Sequence, residues 1–181
     1  MGTLTITSPT EGQTLTNRNL PVGFDWTGNF GYGQTGRHIH IARQGSSDDW
    51  DWFDFIQLSG SSGHHDVTKV IPSWMVNGTY DLTVTLTGNS DQAEDSGTFV
   101  LSVAIVTITS PANGATVGAQ IDAEVSWSNF PAGAAQLGVA LEGAGEVTVA
   151  VAGPSGTETV QVSALEGQPD GAYTLTATVT M

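Results

Sequence analysis

Four aspartates, Asp48, Asp49, Asp51 and Asp54, lie in the stretch "SSDDWDWFDFIQLSG" at residues 46–60, interleaved with Trp50, Trp52, Phe53 and Phe55. Carboxylates at this density offer the oxygen ligands that calcium takes. The glycine-turned D-x-D-x-D-G loop is missing, so the EF-hand pattern fails. Trp50 and Trp52, two apart on a strand, would share one face at ~7 Å, a spacing that suits stacking on sugar rings. Paired exposed tryptophans are also typical anchors of a protein interface, and aspartates between them discourage wrong pairing. The architectural reading places Phe53 and Phe55 on the core face and leaves the other face partly exposed. A protein surface ranks ahead of a metal here.

The histidines form a second candidate group. His38 and His40 share a strand face in "RHIHIAR", again ~7 Å apart by strand geometry. His64 and His65 fall in "SGSSGHHD", which reads as a turn or loop. An H-x-H pair with a third histidine is a zinc pattern. Exposed histidines on a sheet face are more often solvated or in interfaces, so no metal site is assigned. Contact with carboxylates would make binding depend on pH. The chain has no G-x-S-x-G elbow, H-E-x-x-H pair, phosphate loop or thiol. The expectation is therefore a non-enzymatic protein without a cofactor. Its partner-binding residues are expected to be Trp50, Trp52, Asp49, Asp51, Asp54, His38 and His40.

Composition narrows the partners. The 181 residues carry a formal net charge of -14, with one lysine and three arginines. Nucleic acid is not expected as a partner, because neutralising phosphates needs clustered Lys and Arg. An anionic membrane surface is disfavoured for the same reason. With no cysteine there are no disulfides and no thiolate ligands. The N-terminal "MGTLTITSPTEG" lacks the basic start and apolar core of a signal peptide, and no run nears the ~18 apolar residues of a membrane helix. The expectation is a soluble chain made without secretion.

The elements that must position these residues are strands, and they are written twice. "LTITSPTEGQTL" at residues 4–15 recurs as "VTITSPANGATV" at 106–117, "VGFDW" as "AEVSW", and "NGTYDLTVTLT" as "DGAYTLTATVT". Three matched blocks in one order imply tandem copies of one domain, 1–103 and 104–181. Period-two alternation marks strands. In the first copy these fall near 4–7, 20–26, 38–43, 52–58, 66–71, 79–87 and 98–103. In the second they fall near 106–109, 121–127, 136–142, 146–151, 157–163 and 172–180. Tyr80, Leu82, Val84 and Leu86 are expected in the core, as are Trp26, Trp127 and Tyr173. About seven short strands per ~100 residues is an immunoglobulin-like pattern, so the fold class is all-β with two tandem sandwiches.

The pattern "ITSPxxGxxL…VxFDW…IPSWMVNGTYDLTV" resembles the bacterial-type Ig-like, or fibronectin-III-like, domains of cell-surface proteins and tailed-phage virion proteins. Ser8, Pro9, Gly12, Trp26, Pro72, Gly78 and Tyr80 carry the resemblance, with Ser110, Pro111, Gly114, Trp127, Gly171 and Tyr173 in the second copy. The resemblance implies a virion accessory protein, such as a capsid decoration protein. Its partners would be other virion proteins of capsid or tail, further copies of itself, or a surface polysaccharide. The alternative is a fragment of a secreted adhesin or carbohydrate-binding module, extracellular or on the bacterial surface. The first copy holds all four histidines, all four basic residues and eleven of the fourteen aromatics, so recognition is expected there. The second copy has no counterpart of "GTFVLSV" after its tyrosine block. Its strand with Tyr173, Leu175, Ala177 and Val179 is expected to be an open edge that invites strand addition.

Overall fold

A computed structural model describes residues 1–30, 34–88, 90–130, 134–164 and 169–180. Every regular element among them is a strand, and the chain divides into two compact units, Met1–Val103 and Ala104–Met181. Unit one contains β1 (Thr3–Ser8), β2 (Gln13–Leu15), β3 (Asn19–Thr27), β4 (Gln34–Arg43), β5 (Asp49–Gln57), β6 (Ser62–Val70), β7 (Gly78–Thr87) and β8 (Gln92–Leu101). Its sheets are β1-β3-β6 and β2-β8-β7-β4-β5. Pairing is antiparallel except where β2 runs parallel to β8. Unit two contains β9 (Ile105–Ser110), β10 (Gln120–Ser128), β11 (Ala134–Leu141), β12 (Glu146–Ala152), β13 (Gly156–Ser163) and β14 (Leu175–Thr180). Its sheets are β13-β10-β9 and β12-β11-β14.

Alternation sorts the side chains. On β3, Leu20, Val22, Phe24 and Trp26 are buried, and Ile39, Ile41, Tyr80, Leu82, Val84 and Leu86 meet them from the facing sheet. Each such side chain, fully buried, stabilises by about 1.5–3 kcal/mol relative to exposure. Unit two repeats the plan with smaller residues, Ala123, Val125, Leu137, Val139, Val160 and Val162, around the buried Trp127. Both turns after the S-P dipeptides use a glycine in the left-handed region, Gly12 at φ 69° and Gly114 at φ 80°, where a Cβ would be strained. The Tyr80 hydroxyl donates to the carbonyl of Val76 at 2.6 Å, and the Tyr173 hydroxyl donates to that of Pro169. These are the corner bonds of Ig-like sandwiches.

Three sequence expectations need correction, and one short strand was not anticipated. His64 and His65 lie on β6, not in a loop, because His65, Val67 and Lys69 pair opposite Phe24, Val22 and Leu20 and extend the alternation back to Ser62. β5 begins at Asp49, so Trp50 is inside the strand. Tyr173 precedes β14 and is 38% exposed, whereas Tyr80 is fully buried. Tyr80 is covered by Phe99 of β8, with ring centroids 5.4 Å apart, and unit two has no equivalent strand among its described residues. Finally, β2 has only three residues, too few to show a period.

Candidate functional site

β5 is the outer strand of the five-stranded sheet, paired with β4 on one side only among the described residues. Its register decides which residues meet. Residues directly opposite on neighbouring strands share a face. Thr35, Arg37, Ile39 and Ile41 are opposite Ile56, Asp54, Trp52 and Trp50, which places those four β5 residues on the inner face. His38 and His40 are opposite Phe53 and Asp51 on the outer face. The expectation that Phe53 and Phe55 line the core is thus overturned: they are 64% and 59% exposed, while Trp52 packs against the core. The cause is the fully apolar pair Ile39 and Ile41, whose burial fixes the parity of every strand beside them.

The seven candidate residues therefore split between two faces. On the inner face Asp54 accepts from Arg37 Nε at 2.8 Å and Nη2 at 2.5 Å, and from Lys69 Nζ at 3.0 Å. Arg37 belongs to β4 and Lys69 to β6 of the other sheet, so this triad closes the side of the sandwich. Desolvation pushes the Asp54 carboxyl up, but the hydrogen bonds and charges of Arg37 and Lys69 prevail and hold it below 3.8. His65, turned inward against Phe24 with ring centroids 5.5 Å apart, is lowered from 6.5 by burial and then by the charge of Arg37. Further along this face Trp50 stands edge-on to Trp52 at 6.5 Å and to Trp74 at 5.8 Å. Trp74 is half-exposed, and sequence reading missed it as a neighbour. Its position in "IPSWMVNG", far from β5 in sequence, carried no periodic signal.

On the outer face, one carboxylate oxygen of Asp51 contacts His38 Nε2 at 2.6 Å and His40 Nδ1 at 2.8 Å. Desolvation raises the Asp51 carboxyl, yet the hydrogen bonds of His40 and His38 outweigh it and lower its pKa from 3.8. Beside this cluster Phe53 and Phe55 pack edge-to-face with centroids 5.3 Å apart. The Phe53 ring lies over β4 at Gly36, where an added Cβ would meet it at an ordinary contact distance of 3.4 Å. Asp49 is opposite Ala42 on this same face. Unit two has Gly138 and Ala140 where unit one has His38 and His40, by the pairing of β11 with β14 and of β4 with β7.

The acidic run does not converge. Asp48 pairs with Arg43 at 3.7 Å, Asp51 with the histidines, and Asp54 with Arg37 and Lys69. Among the described residues, no three His, Asp or Glu side chains are arranged to hold a metal ion. The third histidine of the zinc pattern is on the other sheet. His64 there meets Asp25 at 2.7 Å and Asp66 at 3.0 Å. The hydrogen bond to Asp25, then that to Asp66, raises its pKa above 6.5. A group raised in the folded state stabilises below its unfolded pKa and loses that contribution as pH rises through the folded value. An NMR titration is expected to place His64 above 6.5, and Asp25→Asn with Asp66→Asn to bring it back. A native midpoint at or below 6.5 would contradict the pairing.

No protein-family model matches the chain, and no curated protein matches it. Among solved structures, red sea bream transglutaminase is similar over 98% of this chain and 28% of its own, with 14% identity and a TM-score of 0.35. The FN1–FN3 domains of chicken CNTN1 are similar over 86% of this chain and 55% of theirs, with 12% identity and a TM-score of 0.34. The chain's assignment to tandem β-sandwiches rests on its own sheets, and likenesses this distant say nothing of ligand or activity.

Proposed function

We propose that the chain is a non-enzymatic binding protein that docks through the outer face and free edge of β5 onto a protein surface. We further propose that this surface belongs to a virus particle, as for the tailed-phage accessory proteins it resembles. The observation that carries the docking reading is the exposed Phe53–Phe55 pair on an open sheet edge. Exposed aromatics at a strand edge combine anchor side chains with backbone groups ready to pair. The rest of the surface is rich in Thr, Ser and carboxylates, and a net charge of -14 would keep decorated particles apart. The His38–Asp51–His40 hydrogen-bonded cluster lies beside the anchors and adds polar groups to the same face.

The half-exposed Trp50 and Trp74 favour a second reading, polysaccharide binding by a surface adhesin. Their rings stand 74° apart, so they do not form the flat platform that sugar stacking uses. The experiment is retention on gradient-purified particles. The protein is expected at a fixed copy number per particle, and Phe53→Ser with Phe55→Ser is expected to weaken rebinding by at least ~30-fold, as loss of a central anchor does. Recovery only as part of a large secreted chain would sink the virion reading. Polysaccharide binding that survives the phenylalanine changes and vanishes with Trp50→Ala and Trp74→Ala would establish the second.

A further inference from the structure

Two asparagines of the chain precede a glycine, Asn77 and Asn113. In such a pair the next backbone nitrogen is within reach of the side-chain amide carbon, and the glycine has no Cβ to block the approach. The fold treats the two pairs in opposite ways. The Asn77 amide is fixed at both ends: Nδ2 donates to the Val103 carbonyl at 2.8 Å, and Oδ1 accepts from the Val103 N–H at 2.9 Å. Gly78 opens β7 opposite Leu101, and the Arg43 side chain lies across it, with Nε 2.7 Å from the place a Cβ would take. Asn113 has none of these restraints. It is exposed, in the turn that the Ala115 N–H closes on the Ala112 carbonyl at 3.0 Å. Among the described residues its side chain makes no hydrogen bond, and the Gly114 N–H has no acceptor. Gly114 stands at φ 80°, with nothing within 4 Å of the place a Cβ would take.

We propose that Asn113 is a modification site, converted without an enzyme to aspartate and isoaspartate through a cyclic imide with Gly114. The Gly114 nitrogen gives its proton to hydroxide and attacks Asn113 Cγ, forming a new C–N bond. The Cγ–Nδ2 bond breaks, and Nδ2 takes a proton from water and leaves as ammonia. Water then opens the five-membered ring at either carbonyl. One opening leaves aspartate. The other leaves isoaspartate, whose backbone runs through the side chain and is longer by one methylene. Water is the only reagent, and no oxidation state changes. The attack requires Asn113 to turn about its own backbone until Cγ meets that nitrogen. An exposed corner closed by one backbone hydrogen bond opens locally at little cost. At Asn77 the same excursion must first break both bonds to Val103 and displace the Arg43 side chain. Unit one shows that the turn accepts the product's charge. Its residue at the matching corner is Glu11, whose carboxylate accepts from the Thr98 N–H at 2.9 Å and hydroxyl at 2.6 Å. The aspartate product thus keeps the turn, whereas isoaspartate lengthens the connection between β9 and β10. Either product adds a carboxylate to a chain already at -14.

The test is incubation of the folded 181-residue protein at neutral and mildly alkaline pH, followed by peptide mapping with mass spectrometry. Asn113 is expected to lose its amide at a rate that rises with hydroxide concentration. Asn77 should react about 30-fold more slowly, the factor set by two hydrogen bonds that must open first. In urea, where both segments are released, the two rates should converge, which separates the effect of the fold from that of the local sequence. On anion exchange the aged protein should gain a more acidic form that co-elutes with Asn113→Asp, and Asn113→Gln should not form it. Equal loss at Asn77 and Asn113 in the folded protein would overturn the proposal. So would an Asn113 amide that persists in the folded protein while it is lost in urea. Appearance of the same acidic form from Asn113→Gln would place the modification elsewhere and overturn it too.

Discussion

Replacing Arg37 with methionine is expected to lower the stability of unit one by about 2–4 kcal/mol, the cost of removing one partner from a largely buried ion pair. Arg37 is 3% exposed, and its guanidinium grips Asp54 with two bonds. Without it, Asp54 keeps only Lys69 as a cationic partner. The Asp54 side chain is 36% exposed, and solvent reaching it keeps the loss below that of a fully buried pair. The arginine is not fully satisfied either: among the described residues its buried Nη1 has no acceptor. An orphaned donor costs about 1–3 kcal/mol. The double change Arg37→Met with Asp54→Leu should therefore be much less harmful than the sum of its parts. Urea unfolding of the two single variants and the double variant measures the coupling. Additive losses would mean that the triad is not a unit.

The same triad sets an acid dependence. Asp54 has its pKa lowered in the folded state, so it contributes stability above the unfolded carboxylate value near 3.8. That contribution is lost as pH falls through the folded value. Asp54→Leu should flatten this part of the acid unfolding curve, opposite in direction to the effect of His64 at higher pH.

Gly156→Ala is the largest expected perturbation of unit two. Gly156 is opposite Trp127 in the β10–β13 pairing, and the indole crowds it. An added Cβ would sit 2.4 Å from Cζ2 and 2.8 Å from Cη2 of that ring. Trp127 is 7% exposed, and its Nε1 is buried without an acceptor among the described residues. Forcing it aside is expected to cost about 2–3 kcal/mol, the upper range for overpacking. That is a large share of the stability of so small a core. Unit one has the matching pair, Trp26 over Gly63, but there the closest ring atom would be 3.1 Å away. Gly63→Ala should cost about 1 kcal/mol, at the low end of the same range. Amide exchange in β10 and β3 reads the two units separately. Equal losses in both, or no loss in β10, would mean that the ring moves freely.

These sites show what kind of information the chain carries locally. The β-sandwich class was legible because alternation is a property of each strand by itself: Leu20 through Trp26 and Tyr80 through Leu86 show their buried parity in the string. The tandem plan was legible because the S-P-x-x-G turns, the tryptophans and the tyrosines recur at matched positions. β5 was not legible. Its aromatics occupy both parities, Trp50 and Trp52 on one and Phe53 and Phe55 on the other, and so do its aspartates. No local rule says which pair goes inward.

What the sequence by itself determined is therefore the periodic part, strands, turns and the repeat, together with the acidic, cysteine-free composition. Tertiary structure alone decided which face of β5 became a surface. Burial of Ile39 and Ile41 set the parity of β4, and cross-strand pairing imposed it on β5. Arg37 then drew Asp54 inward to meet Lys69 from the opposite sheet, and Phe53 and Phe55 were left outside beside His38, Asp51 and His40. The same holds in unit two, where Tyr173 matches Tyr80 in sequence but not in burial. A side chain is buried by its neighbours, and the strand that buries Tyr80 has no counterpart beside Tyr173 among the described residues.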